Sequence, residues 1–447
     1  MKNYNVNATD ENVLNSIADD KLNRTRDVKD FIDLLETLED NSFIALDGAW
    51  GDGKTFLVRQ IEMTLRYHNK IAFKHEITEG EKQAFADNGV LGKNLHLKRT
   101  YLPIYFNAWL YDNHSDALMA LLLVAIKQCN KYVDTKLKGD NGSKIVSILD
   151  ALHFWNNNNW KELKKSFTDM DILSDAYFLE EVSDKIKEVF NDILVEEGEK
   201  LVIFVDELDR CRPTFAVEVL ESIKHFFEDD RIIFVVSTNK AQLIHTISNY
   251  YGVNFDSVGY LNKFFDLNIQ LPEANSLNYF FSLGKTCNSV NYIFTIAKDF
   301  QKYFNLSLRD TITYFQKINL IDSKYGDKYA DKVWGAVMVF VSMLCLFDIV
   351  DITKKRKILK GKGKEIIKEL FDVSSGMKEI ILRLNRLNYV NIESDNYENA
   401  FENFMDIYDY AFLGELIADQ GYEFVIIYRD IKDICLRICN NWWDGNI

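Results

Sequence analysis

The chain has 447 residues, a formal charge of −15, 47% hydrophobic and 27% charged residues, 20 glycines and only 3 prolines. That composition holds ample core material and excludes disordered, collagen-like and low-complexity chains. The acidic balance argues against a general nucleic-acid coat.

In chain order, DVKDFIDLLETLE at 27–39 has helical apolar spacing. SFIALDG at 42–48 is an apolar run expected as a buried strand, and FLVRQIEMTLRYH at 56–68 is expected as a helix. Residues 74–100 are polar and contain glycines, which predicts a loop or excursion. A strand is expected from 101 to about Asn107, then an apolar helix over 116–133. From Thr135 to Ser174 the composition shifts, as an insertion of about 135–175 would. A helix over 176–194 leads into KLVIFVDELDRC at 200–211, an apolar run closed by acids, as in a central parallel strand. A helix at 214–227 and a strand at 231–240 follow. This alternation is an α/β signature. Beyond Pro272 the strand-like runs stop and helical patterns continue to Ile447. The expectation is therefore an α/β domain over 1–272, a parallel sheet with helices on both faces, followed by an all-helical domain over 273–447.

Two stretches bear on location. VWGAVMVFVSMLCLF, residues 333–347, carries no charge, but its fifteen residues fall short of the ~18–20 that a spanning helix needs. It is expected as a buried helix, with no transmembrane span. KKRKILKGKGK at 354–364 holds seven cationic residues in eleven. It is expected as a solvated loop between helices, with nucleic acid or anionic lipid as the alternative contact. The six cysteines are scattered, the seven histidines lack metal-ligand spacing, and no secretion signal opens the chain. These features point to a reduced, cytoplasmic protein, with the basic run as a route to the inner-membrane periphery.

The chemistry concentrates in Gly48-Ala49-Trp50-Gly51-Asp52-Gly53-Lys54-Thr55, which fits GxxxxGK[ST] between an expected strand and an expected helix. Such a loop wraps its amides round a phosphate chain at a helix N-terminus. Lys54 would reach the β- and γ-phosphates, and the Thr55 hydroxyl would ligate Mg²⁺. A second GKT, at 284–286, lacks the preceding glycine and strand. Asp206 and Glu207 close the LVIFV strand. Asp206 fits a Mg²⁺-holding role, and Glu207 could orient or deprotonate the attacking water. Ser237-Thr238-Asn239 ends the next strand, where Asn239 either senses the γ-phosphate or caps a turn. Arg210 and Arg212 could neutralise transition-state charge, while pairing of Arg210 with Asp209 or Glu207 is equally open. Leu22 and Arg24 either border the base or begin a helix. Asn107 could face the nucleotide, and Trp109 is expected to pack.

These motifs together resemble the KAP family of P-loop NTPases, of the additional-strand class. GAWGDGKT is similar to that family's tryptophan-containing loop and VDELDRCRP to its second motif. YFNAWLYDN at 105–113 is similar to its Asn-x-Trp element. Asp20-Lys21-Leu22-Asn23-Arg24 resembles its DxLxR stretch, and YLNKFFDLNIQLP at 260–272 the segment closing its NTPase domain. The resemblance implies an ATP-dependent switch using Mg²⁺, with the nucleotide held by the loop from Gly48 through Phe56. Many bacterial relatives are implicated in excluding phage, and many carry membrane helices. No nuclease, deaminase or protease constellation is visible, so an effector activity would come from a partner protein; a homo-oligomer is the other expected assembly. A non-catalytic, nucleotide-gated scaffold is the alternative. This chain departs from the family in having Glu207 where Asp is frequent and Thr238-Asn239 where an apolar residue and Asp are common.

Overall fold

The computed structural model describes residues 7–72, 77–114, 117–132, 194, 198–226, 229–274, 276–277, 292–325, 332–388, 396–414 and 430–440. The expected insertion at about 135–175, nearly all of the helix at 176–194 and the GKT at 284–286 lie outside them. The chain divides into two compact units, 1–274 and 275–447.

The first unit is built on five strands: β1 (Ser42–Asp47), β2 (Tyr101–Asn107), β3 (Lys200–Asp206), β4 (Ile232–Thr238) and β5 (Leu267–Gln270). They form one sheet in the order β2-β3-β4-β1-β5, and every pairing is parallel. The apolar runs LVIFV and IIFVV make β3 and β4 buried along their whole length, as central parallel strands require. The edge strand β5 alternates in exposure. In register, Asp206 lies beside Ser237 and Asp47 beside Thr238, so the polar residues gather at the carboxyl end of the sheet. The strand separating β1 from β3 is β4, whereas β2, which lies between them in sequence, sits at the edge.

Helices in this unit are α1 (Asp10–Asp19), α2 (Thr25–Thr37), α3 (Lys54–His68), α4 (Glu79–Asp87), α5 (Ala117–Tyr132), α6 (Pro213–Phe226), α7 (Lys240–Tyr251) and α8 (Ser257–Phe264). The expectation of a loop over 74–100 is corrected by α4. It starts with a capping box in which Thr78 and Glu81 bond reciprocally. Its single short turn pattern and polar surroundings give no long apolar period to detect.

The second unit is all helical among the described residues: α9 (Tyr292–Tyr303), α10 (Leu308–Tyr325), α11 (Lys332–Val350), α12 (Ile352–Leu359), α13 (Lys364–Val373), α14 (Ser375–Asn388), α15 (Tyr397–Leu413) and α16 (Ile431–Asn440). The apolar stretch forms α11, whose neighbours include α9, α10, α12, α14, α15 and α16. Phe340 meets Phe404 and Phe412 with ring centroids 5.1 and 5.0 Å away. Cys345, Cys435 and Cys439 are buried in the same core. The length argument drawn from the sequence needs correction. The helix is 19 residues long, and Val333–Val350 is long and apolar enough to cross a membrane. What marks it as a core element is burial, since 78% of that stretch lies inside the unit. Asp348, the first charge after the apolar run, lies within the helix, where Lys355 holds its carboxylate at 2.5 Å and Lys317 approaches at 3.5 Å.

The basic run is likewise mostly helical, and only 360–363 lie between helices. Asp351 caps α12 through the Thr353 and Lys354 amides, and Lys364 opens α13. Lys355 is buried on Asp348, Lys354 pairs with Glu369, and Lys364 pairs with Asp409. The division of labour within this run is testable. Lys355→Ala should lower unfolding stability by about 2 kcal/mol, the scale for a lost hydrogen bond between charged groups. Arg356→Ala, on an exposed side chain, should change it by no more than about 0.5 kcal/mol. Urea midpoints compare the two, and equal midpoints would refute the assignment.

Candidate functional site

The loop between β1 and α3 is positioned from three sides. Gly48 N–H donates to the Thr238 carbonyl on β4 at 3.2 Å, which ties the loop to the neighbouring strand. Gly51 and Gly53 have φ of 94° and 92°, the left-handed region that a side chain disfavours. Asp52 folds back so that Oδ2 accepts the Ala49 amide at 3.0 Å. Gly53 is the cap residue before Lys54 and Thr55 begin α3, whose first N–H groups have no intrahelical acceptor. An anion is the natural partner for such a terminus.

Lys54 is buried, and its Nζ donates to the carbonyls of Gly48 at 2.6 Å and Ala49 at 3.0 Å. Two of its three N–H groups therefore hold the loop, and one remains for a ligand. Burial pulls its ammonium below the ordinary value, against the charges of Asp209, Asp206, Asp52 and Asp47. Trp50 is half exposed, and its indole Nε1 donates to Asp209 Oδ2, linking the loop to the turn after β3.

Asp206 is fully buried at the end of β3. Its Oδ1 accepts the Glu207 amide at 3.0 Å, and its Oδ2 accepts the Tyr105 hydroxyl at 2.9 Å. Burial first, and then the Asp206 charge, push the Tyr105 phenol up, so it remains a donor. Glu207 turns the chain with φ 60°, an uncommon conformation for a residue with a side chain. Its Oε1 pairs with Arg210 Nη1 at 2.9 Å, and its Oε2 accepts Asn107 Nδ2 at 3.3 Å. Arg210 also lies over the Trp109 ring, 5.4 Å from its centroid. Burial raises the Glu207 carboxyl above the usual range, and Arg210 opposes that shift.

The structure thus brings together Gly48, Trp50, Gly51, Asp52, Gly53, Lys54, Thr55, Asp206, Glu207 and Arg210 at one end of the sheet. Phe56 is buried in α3 beneath the loop. The remaining candidates are held by protein contacts. Leu22 is a core residue. Arg24 is 1% exposed, and its guanidinium donates to Asp27 at 3.0 Å and to the Asp52 carbonyl at 3.3 Å. The Asp20 carboxylate accepts the Arg24 and Thr25 amides at the start of α2. At Asn239 the helix cap is formed, its Oδ1 accepting the Gln242 amide at 3.2 Å. The buried hydroxyls of Ser237 and Thr238 have no hydrogen-bond partner, which leaves two polar atoms at the strand end between β1 and β3. Tyr105 escaped the sequence reading. Its signal is a hydroxyl two residues before Asn107, on the same face of a strand next to the acidic one.

No group of three or more His, Cys, Asp or Glu among the described residues could cage a metal. Mg²⁺ bound with a nucleotide needs no cage, since one or two carboxylates and the phosphates suffice. The buried Asp206 carboxylate and the Thr55 hydroxyl at the start of α3 are a donor set of that kind.

Residues 24–287 match the family model of the KAP family P-loop domain, more than half of the chain. No curated protein gives a significant match.

Proposed function

Since the chain belongs to the KAP family of P-loop NTPases, we propose that it binds ATP in the loop Gly48–Thr55 and hydrolyses it with Mg²⁺. The observation carrying this reading is the buried Lys54, anchored on Gly48 and Ala49 with a remaining donor, across from a buried Asp206 on β3. The amides opening α3 and Lys54 bind the phosphates. The Thr55 hydroxyl and the Asp206 carboxylate would hold Mg²⁺, which supplies neutralisation of charge on the β- and γ-phosphates. Glu207 takes the proton of the attacking water. The domain over 1–272 then acts as a switch on the helical domain over 273–447, for a partner effector or a second copy of the chain. The family resemblance extends the proposal to anti-phage defence in the cytoplasm, which phage plating on cells expressing wild type or Lys54→Ala would test.

One observation favours a second reading, a nucleotide-gated scaffold. Both oxygens of Glu207 are engaged, by Arg210 and Asn107, so the base is restrained. Phosphate release from ATP and GTP, with Mg²⁺ and with EDTA, separates the two. Mg²⁺-dependent release supports hydrolysis, binding without release supports the scaffold, and neither binding nor release rejects both.

A further inference from the structure

We infer that Tyr105 is a positioning residue that fixes the Asp206 carboxylate in the orientation in which it serves a nucleotide-bound divalent cation. The inference rests on the reading of the site as a Mg·nucleotide site, and concerns a residue that the phosphate-loop motif does not include.

Asp206 has two carboxylate oxygens, and each is held by a different element. The Glu207 amide, on the same chain turn, donates to Oδ1 at 3.0 Å. The Tyr105 hydroxyl, from the edge strand β2, donates to Oδ2 at 2.9 Å. With only the first bond, the carboxylate could still swing about that contact. The second, from outside β3, fixes its plane. The tyrosine ring is itself held. Its backbone N–H donates to Gln128 Oε1 at 3.0 Å, and Gln128 Nε2 returns to the Tyr105 carbonyl at 2.7 Å. The Arg59 guanidinium lies over the ring, 4.7 Å from the centroid. Arg59 is in turn fixed by Glu62 at 2.8 Å and by Asp10, on α1, at 2.6 Å. The hydroxyl is thus delivered by a backed ring rather than a free side chain. Losing such a partner of a metal-bearing carboxylate typically costs 10–100-fold in metal affinity. The β2–β3 register places Tyr105 beside Phe204 and Asn107 beside Asp206. The edge strand therefore reaches both acids, Asp206 through Tyr105 and Glu207 through Asn107.

The test is calorimetric titration of a non-hydrolysable ATP analogue into the full chain, wild type and Tyr105→Phe, once with Mg²⁺ and once with EDTA. The phenylalanine keeps the ring under Arg59 and removes only the donor. The expected result is unchanged affinity in EDTA, within twofold, and a gain in affinity on adding Mg²⁺ that is about tenfold smaller than in wild type. Arg59→Met, which leaves the hydroxyl but removes its backing, should lose part of the same gain. An equal Mg²⁺ gain in wild type and Tyr105→Phe overturns the inference. So does a loss of affinity in EDTA, which would make Tyr105 a packing residue of the whole site. Absence of any binding by the wild type rejects the nucleotide reading itself, and this inference with it.

Discussion

Lys54→Ala will abolish the stabilisation of this protein by Mg·ATP. A ligand at a hundredfold excess over Kd stabilises the folded state by about 2.7 kcal/mol, an upward shift of roughly 5–10 °C in melting temperature for a unit of this size. The variant should show none of it. The unliganded protein should also lose about 1–3 kcal/mol, because the Lys54 ammonium donates to the Gly48 and Ala49 carbonyls and sits among Asp47, Asp52, Asp206 and Asp209. Differential scanning with and without Mg·ATP separates the two effects. A wild type that does not shift would remove the basis of the nucleotide reading.

The second large effect is expected at Glu207. Glu207→Gln should retain nucleotide binding and slow hydrolysis by about 10²-fold or more, the usual scale for losing a general base. The pH profile gives an independent check. Burial raises the Glu207 carboxyl, so the group is a competent base only above that raised value, and hydrolysis should fall on the acid side at a pH above the ordinary carboxylate range. Arg210 favours the charged form across a 2.9 Å ion pair. Arg210→Ala should therefore move the acid limb to still higher pH. Glu207→Gln should remove the limb altogether. A profile unchanged in both variants would assign the proton transfer to another group.

Much of this site was legible in the sequence because its chemistry is local. A loop of eight residues carries its own glycines, lysine and hydroxyl, and the strand before it is a continuous apolar run. The same holds for Asp206 and Glu207, which close another such run. The sheet order was not legible, because parallel strands pair through crossovers that leave no mark at the pairing positions. Nothing in IIFVVST says that it lies between SFIALD and KLVIFVD, while YLPIYFN takes the edge. Tyr105 was hidden for the same reason, since its role depends on which strand lies alongside. Leu22 and Arg24 show the converse. The sequence leaves a base contact or a helix start open for both, and the Arg24 guanidinium instead joins Asp27 to the loop carbonyl of Asp52 while Leu22 is buried. The basic run was misjudged because charge density alone does not reveal acids distant in sequence. Glu369 and Asp409 meet Lys354 and Lys364 only after the helices have packed.

The central helix of the second unit carries a consequence for biosynthesis. Val333–Val350 has the length and composition of a membrane span, and two of the helices that bury it, α14 and α16, follow it in the chain. While the nascent chain emerges, this segment is therefore exposed to the machinery that sorts apolar helices to membranes, and to aggregation. Its burial is complete only when the last of them, Ile431–Asn440, has emerged and packed. Ribosome-bound chains stopped before Ile431 should associate with chaperone or membrane more than full-length chains do. Equal association of the two would show that the earlier helices suffice to shelter it.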